Sequence, residues 1–146
     1  MNKIFIDTSV ILAASKSKTG GSSYVMMLCR KKVINGCVSH YVVYEAKTKS
    51  VNLFTQQEKR RLNFLLLQCN IEIVNEPLEK EIQKYTQFIE KNDAPILAAA
   101  KMVGAHYLLT LNTKDFMKDK VRKCMHPIQV ATPKDLLQKE GYLKEG

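Results

Sequence analysis

The chain is expected to fold as an α/β protein with a central, mostly parallel sheet of about five strands and helices on both faces. Three observations predict this. Short apolar runs of strand length alternate with segments of helical period. No linker, internal repeat or low-complexity stretch interrupts the alternation, so residues 1–146 read as one domain. At 146 residues, with 45% hydrophobic content, the chain is large enough to bury one core without disulfide or metal staples.

The elements follow in order. Lys3–Ile6 reads as a short buried strand ending at Asp7. Ser22 or Ser23 can cap a helix running to about Lys32, with Val25, Met26, Leu28 and Cys29 as its apolar positions. Val33–Val38 reads as a second strand, although Asn35-Gly36 can also make a turn within it. Ser39 can cap the helix that carries Glu45, and Thr55 begins another with Leu62, Leu65, Leu66 and Cys69 at helical spacing. Ile71–Val74 is a third strand. Leu78–Glu90 has the pattern of an amphipathic helix, with Leu78, Ile82, Tyr85, Phe88 and Ile89 on one side. Asn92 or Asp93 caps the nearly all-apolar helix Ala94–Val103, which has Pro95 in its first turn and Gly104 just past its end. His106–Leu111 and Ile128–Val130 complete the strands, and Thr132-Pro133 opens a C-terminal helix.

Composition narrows the partners. The formal charge is +9, from 23 Lys+Arg against 14 Asp+Glu, which favours a nucleic acid or an acidic protein. No apolar run is long enough to span a membrane, and Asp7 breaks the N-terminal apolar stretch where an export signal would carry no carboxylate. Cys29, Cys37, Cys69 and Cys124 form no C-x-x-C pair; they read as small buried hydrophobes in a reducing cytoplasm.

Four carboxylates sit beside strand or helix ends: Asp7, Glu45, Asp93 and Asp115. Each has a local explanation. Asp7 can cap a helix starting at Val10, and Asp93 the helix after it. Glu45 can pair with Lys49, and Asp115 can cap a turn at Phe116. In a parallel sheet, however, sites form beyond the carboxyl ends of the strands, where these acids can meet. Two carboxylates about 4 Å apart repel by roughly 4 kcal/mol at an effective dielectric near 20. Four in one cleft therefore call for hard cations such as Mg²⁺ or Mn²⁺. Thr8, Thr110 and Asn112 can orient the surrounding waters.

FIDTSV near the N-terminus, Glu45 in a mid-chain helix, DAPILAAAKMVGAHYLLTLNTKDF and the closing TPKDLL together resemble a PIN domain over about Lys3 to Leu137. The resemblance implies a three-layer α/β/α sandwich and a Mg/Mn-dependent ribonuclease, often the toxin of a VapC-type toxin–antitoxin pair. It carries the family's acidic, metal-binding and catalytic set onto Asp7, Glu45, Asp93 and Asp115. It also implies a homodimer and a small antitoxin partner. Many relatives have an aspartate two residues after the strand-end threonine; Asn112 stands there, and Asp115 supplies the acid three residues later.

RNA is the expected substrate. Lys16, Lys18, Lys47, Lys49, Lys114 and Lys118 follow the acids in sequence and are expected to form a phosphate-holding rim, joined by Lys120, Arg122 and Lys123. Tyr41 and Phe116 are expected in the core. His40, His106 and His126 have no partner motif and read as structural or surface residues. Val25, Met26 and Met27 read equally as core or as a groove for a partner helix. The alternative of a different class is a catalytically silent RNA- or protein-binding module. A receiver-type phosphotransfer module would want paired acids after the first strand, and a haloacid-dehalogenase-like phosphatase an aspartate at Ser9.

Overall fold

The structure is a computed structural model that describes residues 1–143. In chain order it comprises β1 (Lys3–Ile6), α1 (Thr8–Lys16), α2 (Gly21–Arg30), β2 (Asn35–Ser39) and α3 (His40–Leu53). Then come α4 (Gln56–Gln68), β3 (Glu72–Val74), α5 (Glu79–Gln83), α6 (Ala94–Met102) and β4 (Tyr107–Leu109). The chain ends with α7 (Thr113–Phe116), α8 (Asp119–Met125), β5 (Gln129–Ala131) and α9 (Pro133–Lys139).

All five strands are parallel, in the order β3-β2-β1-β4-β5. β1 lies at the centre and pairs with β4, with Ile4 opposite Tyr107, Phe5 opposite Leu108 and Ile6 opposite Leu109. All six are buried, as a sheet covered on both faces requires. The order gives the layers. From β1 the chain steps outward through β2 to β3, then returns past β1 to β4 and β5. Right-handed crossovers place α1–α4 on one face and α5–α8 on the other. α1 packs against α2, α3 and α4, and α5 against α6. The sheet reverses direction between β1 and β4, which is where an open α/β sheet leaves a crevice.

Local chemistry sets most helix ends. Ser39 Oγ accepts a hydrogen bond from the Val42 amide at the start of α3. Thr55 and Glu58 close a reciprocal capping box on α4, as Thr132 and Asp135 do on α9. Pro95 lies in the first turn of α6, and Gly104, with φ +65°, reverses the chain beyond it.

Several expectations need correction. Residues 78–90 do not form one helix: α5 ends at Gln83 and turns follow. The Thr86 hydroxyl bonds the Gln83 carbonyl at 2.8 Å and the Gln87 side chain bonds that of Lys84 at 3.1 Å, so side chains compete for backbone acceptors. Leu78 is 65% exposed, which breaks the proposed stripe, although Ile82, Tyr85, Phe88 and Ile89 do meet the core. α2 is entered through Gly20 at φ +94°, not capped by Ser22 or Ser23. Ser23 is buried and bonds the Ser17 and Ala14 carbonyls instead. Asn35-Gly36 is strand as expected, without the alternative turn, and pairs with Lys3 and Ile4. β2 therefore runs from Asn35 to Ser39 and omits Val33-Ile34. β4 and β5 are shorter or shifted by a residue or two, and α8 was not foreseen.

Cys29, Cys37 and Cys69 are buried and Cys124 partly so, all as free thiols. Burial pushes the Cys29 and Cys37 thiols up to about 12, which keeps them protonated and inert. Val25 and Met26 belong to the core, whereas Met27 is exposed. Among the described residues, no helix is long and apolar enough to cross a membrane.

Candidate active site

Asp7 is the first residue after β1, at the reversal in strand order. Its amide donates to Leu109 O at 2.9 Å, so the backbone ties it to the end of β4. Its carboxylate is buried and accepts two hydroxyl hydrogen bonds at Oδ2, from Ser9 and Thr110, each at 2.8 Å. Those hydroxyls are themselves fixed: Ser9 Oγ accepts from the Leu111 amide at 2.9 Å and Thr110 Oγ1 from the Asn112 amide at 3.0 Å. Asp7 occupies the N-cap position of α1, which starts at Thr8 and not Val10, but its side chain makes no capping bond. Helix capping therefore does not explain it.

Glu45 lies in α3, one turn beyond Tyr41. Thr8 Oγ1 donates to its Oε1 at 2.5 Å, and Lys49 Nζ stands 3.6 Å from Oε2. Tyr41 is half-buried and packs against the core. Its hydroxyl donates to the Asn92 carbonyl at 2.7 Å and lies 3.5 Å from Glu45 Oε2. Burial, then the charges of Glu45 and Asp93, push that phenol up to about 12, so it keeps its proton and remains a donor.

Asp93 holds the N-cap position of α6, again without a side-chain capping bond. Its carboxyl is pushed up to about 6, chiefly by burial and then by the charges of Asp7, Asp115, Glu45 and Glu90. Burial likewise raises Asp7. The Ser9 and Thr110 hydroxyls and the Thr8 amide oppose that rise, and the charge of Glu45 adds to it. Asp115 does not cap a turn. Asn112 caps α7 by accepting from the Asp115 amide at 3.3 Å, and its Nδ2 donates to Asp115 Oδ2 at 3.1 Å. Phe116, next in sequence, is fully buried and anchors the turn.

Asp7, Glu45 and Asp115, together with Glu90, thus lie within electrostatic reach of Asp93. Among the described residues, however, no three His, Cys, Asp or Glu side chains close around a single point. The two observations are compatible, because charges act over longer distances than coordination bonds do. The donor set is all hard oxygen, and the only cation held by an ion pair here is Lys49, at the solvent side of Glu45. That chemistry suits Mg²⁺ or Mn²⁺ and would disfavour a soft metal.

The lysines divide. Lys49 is the partner of Glu45, and Lys47 and Lys114 are exposed on α3 and α7. Lys118, with Lys120, lines a cleft of about 270 Å³ that also contains Asp115 and Glu90. Lys16 and Lys18 do not join the acids. Lys16 is at the far end of α1, its ammonium 5.2 Å from the Phe54 ring centre, and Lys18 follows in the loop. His40 and His126 are exposed, and His106 Nδ1 accepts from the Lys3 amide at 2.9 Å.

Sequence reasoning passed over Ser9, Tyr41 and Glu90 as site residues. Ser9 stands two residues after the strand-end carboxylate, within reach of a side-chain turn. Tyr41 is four residues before Glu45 on one helix face. Glu90 carried no signal, because its approach to Asp115 depends on the irregular path after α5.

The chain shares its fold with proteins of known structure. The chain superposes on VapBC2 of Rickettsia felis, solved bound to a promoter DNA fragment, with TM-score 0.62 and 19% identity over 88% of this chain and 96% of that one. It superposes on PAE2754 of Pyrobaculum aerophilum with TM-score 0.65 and 14% identity, covering 97% and 91%. For VapC20 of Mycobacterium tuberculosis, described as a Sarcin-Ricin loop cleaving toxin, the values are 0.54 and 16%, covering 72% and 86%. No curated protein matches. At these identities the superpositions establish shared fold alone. The PIN-domain family model, by contrast, matches residues 3–114, and on that match the chain belongs to the PIN-domain family.

Proposed function

We propose that this PIN-domain protein is a metal-dependent endoribonuclease, acting as the toxin of a toxin–antitoxin pair in the cytoplasm. The observation that carries the reading is the state of Asp93. It is pushed up to about 6 by its burial and by four neighbouring acids, Asp7 and Asp115 first among them. Such mutual repulsion at a sheet crevice is unfavourable without a cation to relieve it.

Asp7, Glu45, Asp93 and Asp115 would hold Mg²⁺ or Mn²⁺. A bound ion of this kind supplies Lewis acidity toward a phosphoryl oxygen and acidifies water for attack on phosphorus. The chain's own contribution is positional. Ser9 and Thr110 hold Asp7 in one rotamer. Thr8 holds Glu45, and Asn112 holds Asp115. Lys118 and Lys120 offer positive charge to a phosphate entering beside Asp115. The charge of +9 draws a polyanion to the surface. The described cleavage of the Sarcin-Ricin loop by VapC20 suggests RNA as that polyanion. VapBC2, by its likeness, suggests an antitoxin partner, and a homodimer follows the same family expectation.

The test is cleavage of structured and single-stranded RNAs by purified protein in Mg²⁺, Mn²⁺ or EDTA, beside folded Asp93→Asn. Cleavage that needs the ion and disappears in the variant supports the reading; cleavage that persists in EDTA or in the variant sinks it. One observation favours a second reading, a catalytically silent binding module: the acids are not closed around one point. Absence of cleavage together with absence of Mn²⁺ binding by calorimetry would select it.

A further inference from the structure

At the opposite end of α1 from Asp7 there is a second concentration of charge. α1 runs from Thr8, bonded to Glu45, to Lys16, and nine residues of helix span roughly 12 Å. There Lys16, Lys18, Arg60 and Arg61 line a cleft of about 440 Å³ between the α1–α2 loop and the start of α4, with Phe64 as part of its wall.

Three features distinguish this cleft from an ordinary solvated surface. Its one carboxylate, Glu58, accepts the Thr55 amide at 2.9 Å in the α4 capping box. Among the described residues the ion pairs are Glu45–Lys49 and Glu81–Lys84, so none of the four cations has a carboxylate within pairing distance. Arg61 is also fixed: its Nε donates to Ala14 O at 2.7 Å and its Nη2 to Ser23 Oγ at 3.1 Å. Both acceptors are neutral, so the guanidinium is ordered without being neutralised and keeps unused donors. The same wall continues into a neighbouring cleft, where Arg30 lies 5.1 Å from the centre of the Phe64 ring.

The geometry points to a phosphodiester-binding site in this cleft, separate from the acids, that holds a distal part of the RNA substrate. The inference rests on the nuclease reading for the identity of the polyanion. It does not rest on it for the charge. Phosphate matches the cleft better than a peptide carboxylate does, because an ordered guanidinium beside three further cations suits a repeating anion. A short extended stretch of backbone would bridge the cleft and the acids along α1.

The experiment measures binding of a fluorescent single-stranded RNA in EDTA, which removes any contribution of divalent ions at the acids. The variant is Lys18→Glu/Arg60→Glu, two exposed positions that carry no backbone-supporting bond. The control is Lys80→Glu on α5 with Lys84→Glu just past its end, with the same change in net charge. Circular dichroism establishes that both fold. The cleft variant is expected to lose about tenfold or more in affinity and to lower the salt slope by roughly 1.4, the value for two single-strand phosphate contacts. The control should lose far less, and the defect should grow with oligonucleotide length. Equal losses in the two variants would reduce the cleft to bulk charge and overturn the inference. So would unchanged RNA affinity with lost binding of a polyglutamate peptide, which would mark a surface for an acidic protein. If wild-type protein cleaves no RNA yet the cleft variant loses RNA binding, the nuclease reading falls and the binding site stands. If cleavage is normal but the cleft variant binds RNA as wild type does, the reverse holds.

Discussion

At the scale of single residues, Asp93 makes a claim about stability as well as catalysis. Its carboxyl is raised from the ordinary 3.8 to about 6, so the fold disfavours its charged form. A raised acid binds more protons folded than unfolded. Its penalty is absent below about pH 4, grows as pH rises and is complete above about pH 6. Asp93→Asn removes that penalty. The side chain is half-buried, so screening reduces the effect, and the variant is expected to be more stable than wild type by about 1 kcal/mol at neutral pH without metal. The two should converge near pH 4. Urea unfolding at both pH values measures this, and a variant less stable than wild type at neutral pH would contradict the acid cluster. Thr110→Val makes the opposite prediction. It removes a 2.8 Å hydroxyl bond to a buried carboxylate at nearly constant shape and should cost about 1–3 kcal/mol, since Asp7 keeps its desolvation but loses a donor. Thermal unfolding in EDTA reads it, and an unchanged Tm would show that Ser9 alone suffices.

At the scale of elements, Gly36 in β2 illustrates what packing adds to pattern. A Cβ there would stand 2.6 Å from Cys29 Sγ and 2.9 Å from Ile71 Cδ1, so α2 and the chain entering β3 close over a strand that has no side chain at this point. Gly36→Ala should cost about 1–3 kcal/mol through overpacking. In a Cys29→Ala background much of that cost should vanish, and a double-mutant cycle with no coupling would reject the contact. From sequence, Asn35-Gly36 reads as strand with a turn as the alternative, because the clearance that glycine provides belongs to a neighbour distant in the chain. The same logic separates what was legible from what was not. Ser39, Thr55 and Thr132 announce their helices because a cap is decided within four residues. The apolar helix Ala94–Met102, with Pro95 before it and Gly104 after it, is equally local. The break after Gln83 is not: Thr86 and Gln87 divert their hydrogen bonds to nearby carbonyls, while Tyr85 and Phe88 still reach the core that the apolar period suggested. Asp7 and Asp93 are legible because each stands at the start of a helix, whereas Glu45 lies within α3 and Asp115 within α7. Ser9 and Tyr41 carry weak local signals by their spacing from Asp7 and Glu45, but their bonds to Leu111 and Asn92 emerge only with the register of β1 against β4 and the placement of α3. Lys16 and Lys18 stand apart from the acids for one reason: following Asp7 in sequence, they are carried down the length of α1 to its far end.

For the whole molecule, strand order turns these local facts into a dependence on metal and pH. Parallel strands in the order β3-β2-β1-β4-β5 bring Asp7 and Thr110 side by side from opposite ends of the sequence, with Asp93 facing them from the N-terminus of α6. The ionised cluster is a standing destabilisation that a divalent ion would relieve, and stabilisation by a ligand grows with its concentration over Kd. At a hundredfold excess it is about 2.7 kcal/mol, or roughly 5–10 °C in Tm for a chain of this size. The sign with pH follows from the raised Asp7 and Asp93 carboxyls. Near pH 5 a proton already occupies most of Asp93 and an ion must displace it; near pH 7.5 Asp93 is ionised and free to bind. The Tm gain from Mn²⁺ over an equal ionic strength of NaCl should therefore be large near pH 7.5 and small near pH 5. It should disappear at both in Asp7→Asn/Asp93→Asn. A gain that ignores pH, or that survives in the double variant, would place the ion elsewhere on the molecule and leave the acids as an unrelieved electrostatic cost of the fold.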